Sequence, residues 1–198
     1  MKNTMLAGAA VLVAGGSVAS AQNLEVLLEV DLTVAGEVTI TATDGLSAID
    51  ASGSDTTGFY LAEFYTSDLG GALTSTLVAG DLTSANETTD TTPLLFRGTF
   101  PGVDTGLNVF SYTDDLSSTF TAGSVAFSGS GTWTVADSDD IADLLGANLS
   151  GEIYFPADTG DDITGLAPLG LYTVIVPEPT TAGLLGVVSL GLLRRRRA

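Results

Sequence analysis

From Leu24 onward, apolar and polar residues alternate. Leu24, Val26, Leu28, Val30, Leu32 and Val34 share one parity while Glu25, Glu29, Asp31 and Thr33 take the other, which marks a strand with one buried and one wet face. Ala35-Gly36 supplies a turn, and Glu37-Val38-Thr39-Ile40-Thr41-Ala42 alternates again, so a hairpin is predicted. The same reading places strands at 58–66, 72–78, 93–100, 108–113, 120–127, 132–135, 151–155 and 169–176, separated by turns of Gly, Asp, Ser, Thr and Asn. About ten short strands at this spacing predict an all-β fold, a two-sheet β-sandwich of jelly-roll-like architecture.

One short helix near 138–145 interrupts the pattern. Asp137-Ser138-Asp139-Asp140 offers capping side chains and first-turn carboxylates, Ile141, Leu144 and Leu145 fall at i, i+3, i+4, and Gly146 stands where a C′ glycine belongs. Ser130-Gly131, Ala136-Asp137-Ser138 and Asp139-Asp140-Ile141 return as Ser150-Gly151, Ala157-Asp158-Thr159 and Asp161-Asp162-Ile163. One doubling is a local duplication, since a repeat array needs about three units to bury its own core.

The two ends have a different character. Lys2 precedes an apolar run from Met5 to Gly16, and Ala19-Ser20-Ala21 provides the small-x-small site at which a signal peptidase cuts, so residues 1–21 are expected to be a signal peptide and Gln22 the mature N-terminus. Residues 22–176 then form a single acidic domain. At the other end, Val176-Pro177-Glu178-Pro179-Thr180-Thr181 leads into an uncharged stretch of Leu, Val, Gly, Ala and Ser, followed by Arg194, Arg195, Arg196 and Arg197. Alternate prolines keep a peptide extended. The apolar stretch partitions into a bilayer, and arginines resist translocation. Residues 180–193 reach about 21 Å as a helix against a hydrocarbon core of about 30 Å, which suits a temporary stop better than a permanent anchor.

Residues 176–198 resemble the PEP-CTERM sorting signal of bacterial exported proteins, with Pro177, Glu178 and Pro179 matching the motif and the apolar helix and Arg cluster following in order. The resemblance covers this tail alone. It implies recognition at Pro177-Glu178-Pro179 by an exosortase-type enzyme, transient inner-membrane contact with Arg194 to Arg197 as the retention element, and delivery to the cell surface or extracellular matrix. A sortase-type Leu-Pro-x-Thr-Gly is absent. Because the last strand runs straight into Pro177, processing is expected to need fraying of the strand end or pairing only after cutting, and a flexible linker before Val176 is expected to speed it.

Composition narrows the chemistry. The 198 residues include 24 acids, 6 bases, and no His or Cys, for a net charge of −18. Thiolate, imidazole and disulfide chemistry are thereby excluded. Between Lys2 and Arg194 the sole base is Arg97. Such a surface repels phosphate backbones and anionic headgroups, so neither a nucleic-acid partner nor peripheral adhesion to an anionic membrane is expected. Asp137, Asp139, Asp140, Asp158, Asp161 and Asp162 are the candidate Ca2+ ligands, weighed against helix capping, although neither cluster has EF-hand spacing. Asp104-Thr105-Gly106 and Asp158-Thr159-Gly160 spell the aspartic-protease triplet, but each lacks the small residue that should follow and turn chemistry accounts for both.

The expectation is therefore an exported, non-catalytic surface or matrix protein with extracellular polysaccharide as a candidate partner. The alternatives are a carbohydrate-binding or carbohydrate-active module, using Trp133, Phe59, Tyr60, Phe64, Tyr65, Tyr154 and Phe155 as a stacking platform or a carboxylate pair as catalyst, and a calcium-dependent adhesion module.

Overall fold

The computed structural model describes residues 23–54, 58–66, 73, 75–84, 94–100, 104–110, 117–137, 141, 144–155 and 163–177. These are mostly β-strand. The signal peptide and the C-terminal helix predicted above lie outside them.

The strands are β1 (Val26–Asp31), β2 (Glu37–Ala42), β3 (Ala51–Ser54), β4 (Phe59–Leu61), β5 (Ser75–Gly80), β6 (Thr83–Ser84), β7 (Leu94–Phe100), β8 (Asp104–Phe110), β9 (Ser117–Phe120), β10 (Phe127–Ser128), β11 (Ser130–Val135), β12 (Ser150–Tyr154) and β13 (Gly170–Ile175). Nine of them form one sheet in the order β5-β11-β2-β1-β13-β12-β4-β8-β7. Its outer strands β5 and β7 come into contact, so the sheet is curled. The predicted hairpin is its centre. β1 and β2 pair antiparallel with Val30 opposite Ile40, and Gly36 closes the turn at φ +77°, where Glu37 N donates to Val34 O at 3.0 Å. β1 also pairs with β13, in parallel, which joins the first and last of the described strands in mid-sheet.

Directly opposed residues share a face, and they build one apolar stripe across the sheet. Trp133 faces Val38, Ile40 faces Val30, Val30 faces Val174, and Leu28 faces Tyr172. Ile153 faces Leu61, Leu61 faces Leu107, and Phe59 faces Val109, which faces Leu95. All are buried. Two ribbons, β3 with β9 and β6 with β10, lie over this stripe. Phe127 of β10 packs against Phe59 with ring centroids 4.7 Å apart, and Phe120 of β9 packs against Phe127 at 5.2 Å and Phe155 at 4.9 Å. A smaller cluster of Tyr60 and Ala62 with Tyr154 and Ile163 covers the reverse face.

The strand predicted at 120–127 is broken by a turn between β9 and β10, in which Ser124 N donates to Thr121 O at 3.0 Å, and parity fails at two further places. Leu27, off the buried parity, is fully buried, because the register slips between Val26 and Leu28 and the bulge turns both leucines inward. Its carbonyl accepts from Thr43 N at 2.9 Å, and Thr43 Oγ1 donates to Val26 O at 2.5 Å. Val34, assigned to the buried parity, sits exposed in the β1–β2 turn. β3 and β6 fall in stretches of Ser, Gly and Thr whose hydropathy gave no sign of a strand.

The predicted helix is seen at Ile141, Leu144 and Leu145, with Ile141 N donating to Asp137 O at 3.1 Å; 138–140, 142 and 143 lie outside the described residues. Of the predicted duplication, β11 and β12 stand in one sheet with β2, β1 and β13 between them.

Candidate functional site

The tail expected to carry the protein's function leaves from the end of β13. Here the backbone is held on both sides. Leu32 N donates to Ile175 O and Val174 N donates to Leu149 O, each at 2.8 Å. Val176, half-buried, packs against the main core, and Pro177 is exposed. Proline has no amide hydrogen, so the ladder cannot continue through it. β13 therefore cannot be extended past Val176 by ladder hydrogen bonding at Pro177. β13 is a central strand; fraying it would break pairing with β1 and β12 together, a larger disturbance than peeling an edge strand.

Of the other predicted sorting and processing residues, Glu178, Pro179, Arg194, Arg195, Arg196, Arg197, Ala19 and Ala21 lie outside the described residues. So do Asp139, Asp140, Asp158, Asp161 and Asp162. Asp137 is described; it is exposed, and its carbonyl accepts the first bond of the helical turn, the position of an N-cap residue. Among the described residues no three His, Cys, Asp or Glu come together as a metal site.

Several described carboxylates serve the backbone. Asp31 Oδ1 accepts from Thr33 N at 2.7 Å within a turn, while Glu25 Oε2 accepts from Leu46 N at 2.8 Å and Asp50 Oδ1 from Ala122 N at 2.9 Å, tying separate segments together. Asp104-Thr105-Gly106, read from sequence as turn chemistry, is instead the start of β8, paired with β7 through Gly98 opposite Gly106. Gly106 lies under the Tyr60 ring, where a Cβ would fall 2.0 Å from Cζ. The second triplet, 158–160, is outside the described residues.

The proposed stacking aromatics face inward. Phe59, Tyr60, Phe64, Tyr65, Trp133 and Phe155 are buried, and Trp133 has no exposed surface. Tyr154 is half-buried and its hydroxyl donates to Glu152. Tyr172, buried in β13, donates its hydroxyl to Ala62 O at 2.8 Å. Burial, and after it the Glu63 carboxylate, hold this phenol well above the ordinary tyrosine range.

What the periodicity missed is the apolar surface around the exit point. Val34, Leu145, Leu149 and Ile175 are 56%, 47%, 60% and 39% exposed. Val34 and Leu145 line one shallow hollow beside Leu32 and Ile141. Leu149 accepts the last bond on one flank of β13, and Ile175 ends the strand itself. The i, i+3, i+4 pattern assigned Leu145 to the buried side of the helix. The short turn buries Leu144 and leaves its neighbour out.

No known protein family, curated protein or solved structure matches the chain. Among the described residues, no helix is long and apolar enough to cross a membrane.

Proposed function

We propose that this chain is an exported, non-catalytic cell-surface or extracellular-matrix protein, held transiently at the inner membrane by its C-terminal helix and processed at Pro177-Glu178-Pro179 by an exosortase-type enzyme. The observation that carries this reading is the order of parts at the C-terminus: a final described strand, β13, followed by core-packed Val176, then in sequence the proline pair, the apolar stretch and four arginines. A signal peptidase acting after Ala21 supplies the mature N-terminus. The absence of His and Cys from the sequence supports a structural contribution over a catalytic one. The curled sheet with two ribbons over its apolar stripe supports the finer description as a two-layer, jelly-roll-like sandwich.

Intact mass spectrometry of protein recovered from the cell surface or medium tests the reading. The expected species begins at Gln22 and ends between Pro177 and Thr181, with or without glycan mass. A species that ends at Ala198 and stays with the membrane fraction makes the tail a lasting anchor and removes the sorting role.

A further inference from the structure

Two connections and a strand end meet at the Pro177 end of β13, and each carries exposed apolar side chains. Val34 tops the β1–β2 turn, Leu145 and Leu149 lie on the connection from β11 to β12, and Ile175 closes β13. The hydrogen bonds Leu32 N to Ile175 O and Val174 N to Leu149 O fix Ile175 between the other two elements. The opposite end of the sheet, where Gly45 O accepts from Ala126 N and Leu46 bridges to Val125, is remote from them by the length of β1.

We infer that this end of the domain is a membrane-contact surface, and that the apolar rim of Val34, Leu145, Leu149 and Ile175 rests in the interfacial layer of the bilayer until the tail is cut. The inference rests on the proposed insertion of the tail and goes beyond it, because it assigns a lipid-binding role to the folded domain.

Chain length is the first argument. Val176 packs on the core, and the apolar stretch begins at Ala182, six residue steps away, which span about 20 Å at full extension. A headgroup layer on each side occupies about 5 to 8 Å of this. Position in the sheet is the second. β13 stands between β1, which leads to the Val34 turn, and β12, which follows Leu149, so the short tether leaves from between these flanks and draws both toward the lipid. Chemistry is the third. Leucine, valine and isoleucine side chains projecting from turns are the groups that partition into the headgroup and acyl boundary. Asp31, Glu37, Glu63 and Asp137 at the same end oppose an anionic surface, which makes neutral headgroups the preferred partner.

The chain has no cysteine, so single-cysteine variants label at one site. The full chain is reconstituted into phosphatidylcholine vesicles carrying brominated acyl chains, with a polarity-sensitive fluorophore on Val34→Cys, Leu149→Cys, Val125→Cys or Ser189→Cys. Val34, Leu149 and Val125 are all exposed, so these substitutions leave the core intact. The expected result is quenching and a blue shift at Ser189, Val34 and Leu149, with neither at Val125. Quenching at Ser189 with Val34 and Leu149 as bright as Val125 overturns the lipid-contact surface and leaves the tail inserted. Equal quenching at all four sites overturns it as well, by showing adsorption without orientation. A label at Ser189 that stays bright overturns the tail reading, and the inference with it.

Discussion

The hydroxyl of Tyr172 reaches across β12 and donates to the carbonyl of Ala62 at 2.8 Å, a bond that joins residues 110 positions apart. It can do so because Gly151, opposite Tyr172 in the ladder, has no side chain: a Cβ there would stand 2.5 Å from the Tyr172 hydroxyl and 2.7 Å from Ala62 O. Tyr172→Phe leaves a carbonyl without this donor and is expected to cost about 1 to 3 kcal/mol. Gly151→Ala crowds the ring and backbone and is expected to cost a similar amount. Urea unfolding of each variant checks this, and the double variant should fall short of the sum because the residues are in contact.

The same phenol makes stability depend on alkaline pH. Its folded pKa is raised above the unfolded value of about 10, by burial first and by Glu63 second. Below pH 10 both states keep the proton and the contribution is fully present. Above it the unfolded chain loses the proton first, so stability falls as pH rises. Thermal melts between pH 9 and 11 should show this decline, and Tyr172→Phe should make it shallower.

Trp133 is the chain's one tryptophan, and its indole lies over Gly131 two residues back, where a Cβ would come 2.4 Å from the ring. Its emission should be blue-shifted, insensitive to iodide and unchanged by added saccharides, then shift red on unfolding. Iodide quenching in the native state would contradict the burial. Trp133→Ala is expected to cost about 3 to 5 kcal/mol, the range for loss of a large core aromatic.

Asp137 stands at the cap of the helical turn. Asp137→Ala is expected to lower stability by about 1 kcal/mol. Chelation of divalent cations should leave the melting temperature of the wild-type chain unchanged. A fall on chelation that the variant abolishes would transfer Asp137 from capping to calcium.

Cleavage of the tail should be limited by access. Val176 is packed on the core and Ile175 is bonded to Leu32, so an enzyme's cleft reaches the chain only from Pro177 onward. A Gly-Ser insertion between Val176 and Pro177 is expected to speed processing in exporting cells, followed as the loss of full-length chain with time. An unchanged or slower rate would show that the tether does not limit the enzyme.

The sequence by itself determined what is local: the period-two alternation that makes β1 and β2 a hairpin, and the helical turn at Ile141, Leu144 and Leu145 that follows Asp137. Tertiary structure alone decided which strands are neighbours. The parallel pairing of β1 with β13 joins residues about 145 apart, and no local pattern encodes a partner at that distance. It also decided the bulge that buries Leu27, and the strands β3 and β6, whose Ser, Gly and Thr are strand only because a partner supplies their hydrogen bonds. The apolar rim has the same origin. Val34, Leu145, Leu149 and Ile175 belong to separate segments, and only the register that sets Leu149 and Asp31 on either side of β13 brings them to one end of the protein.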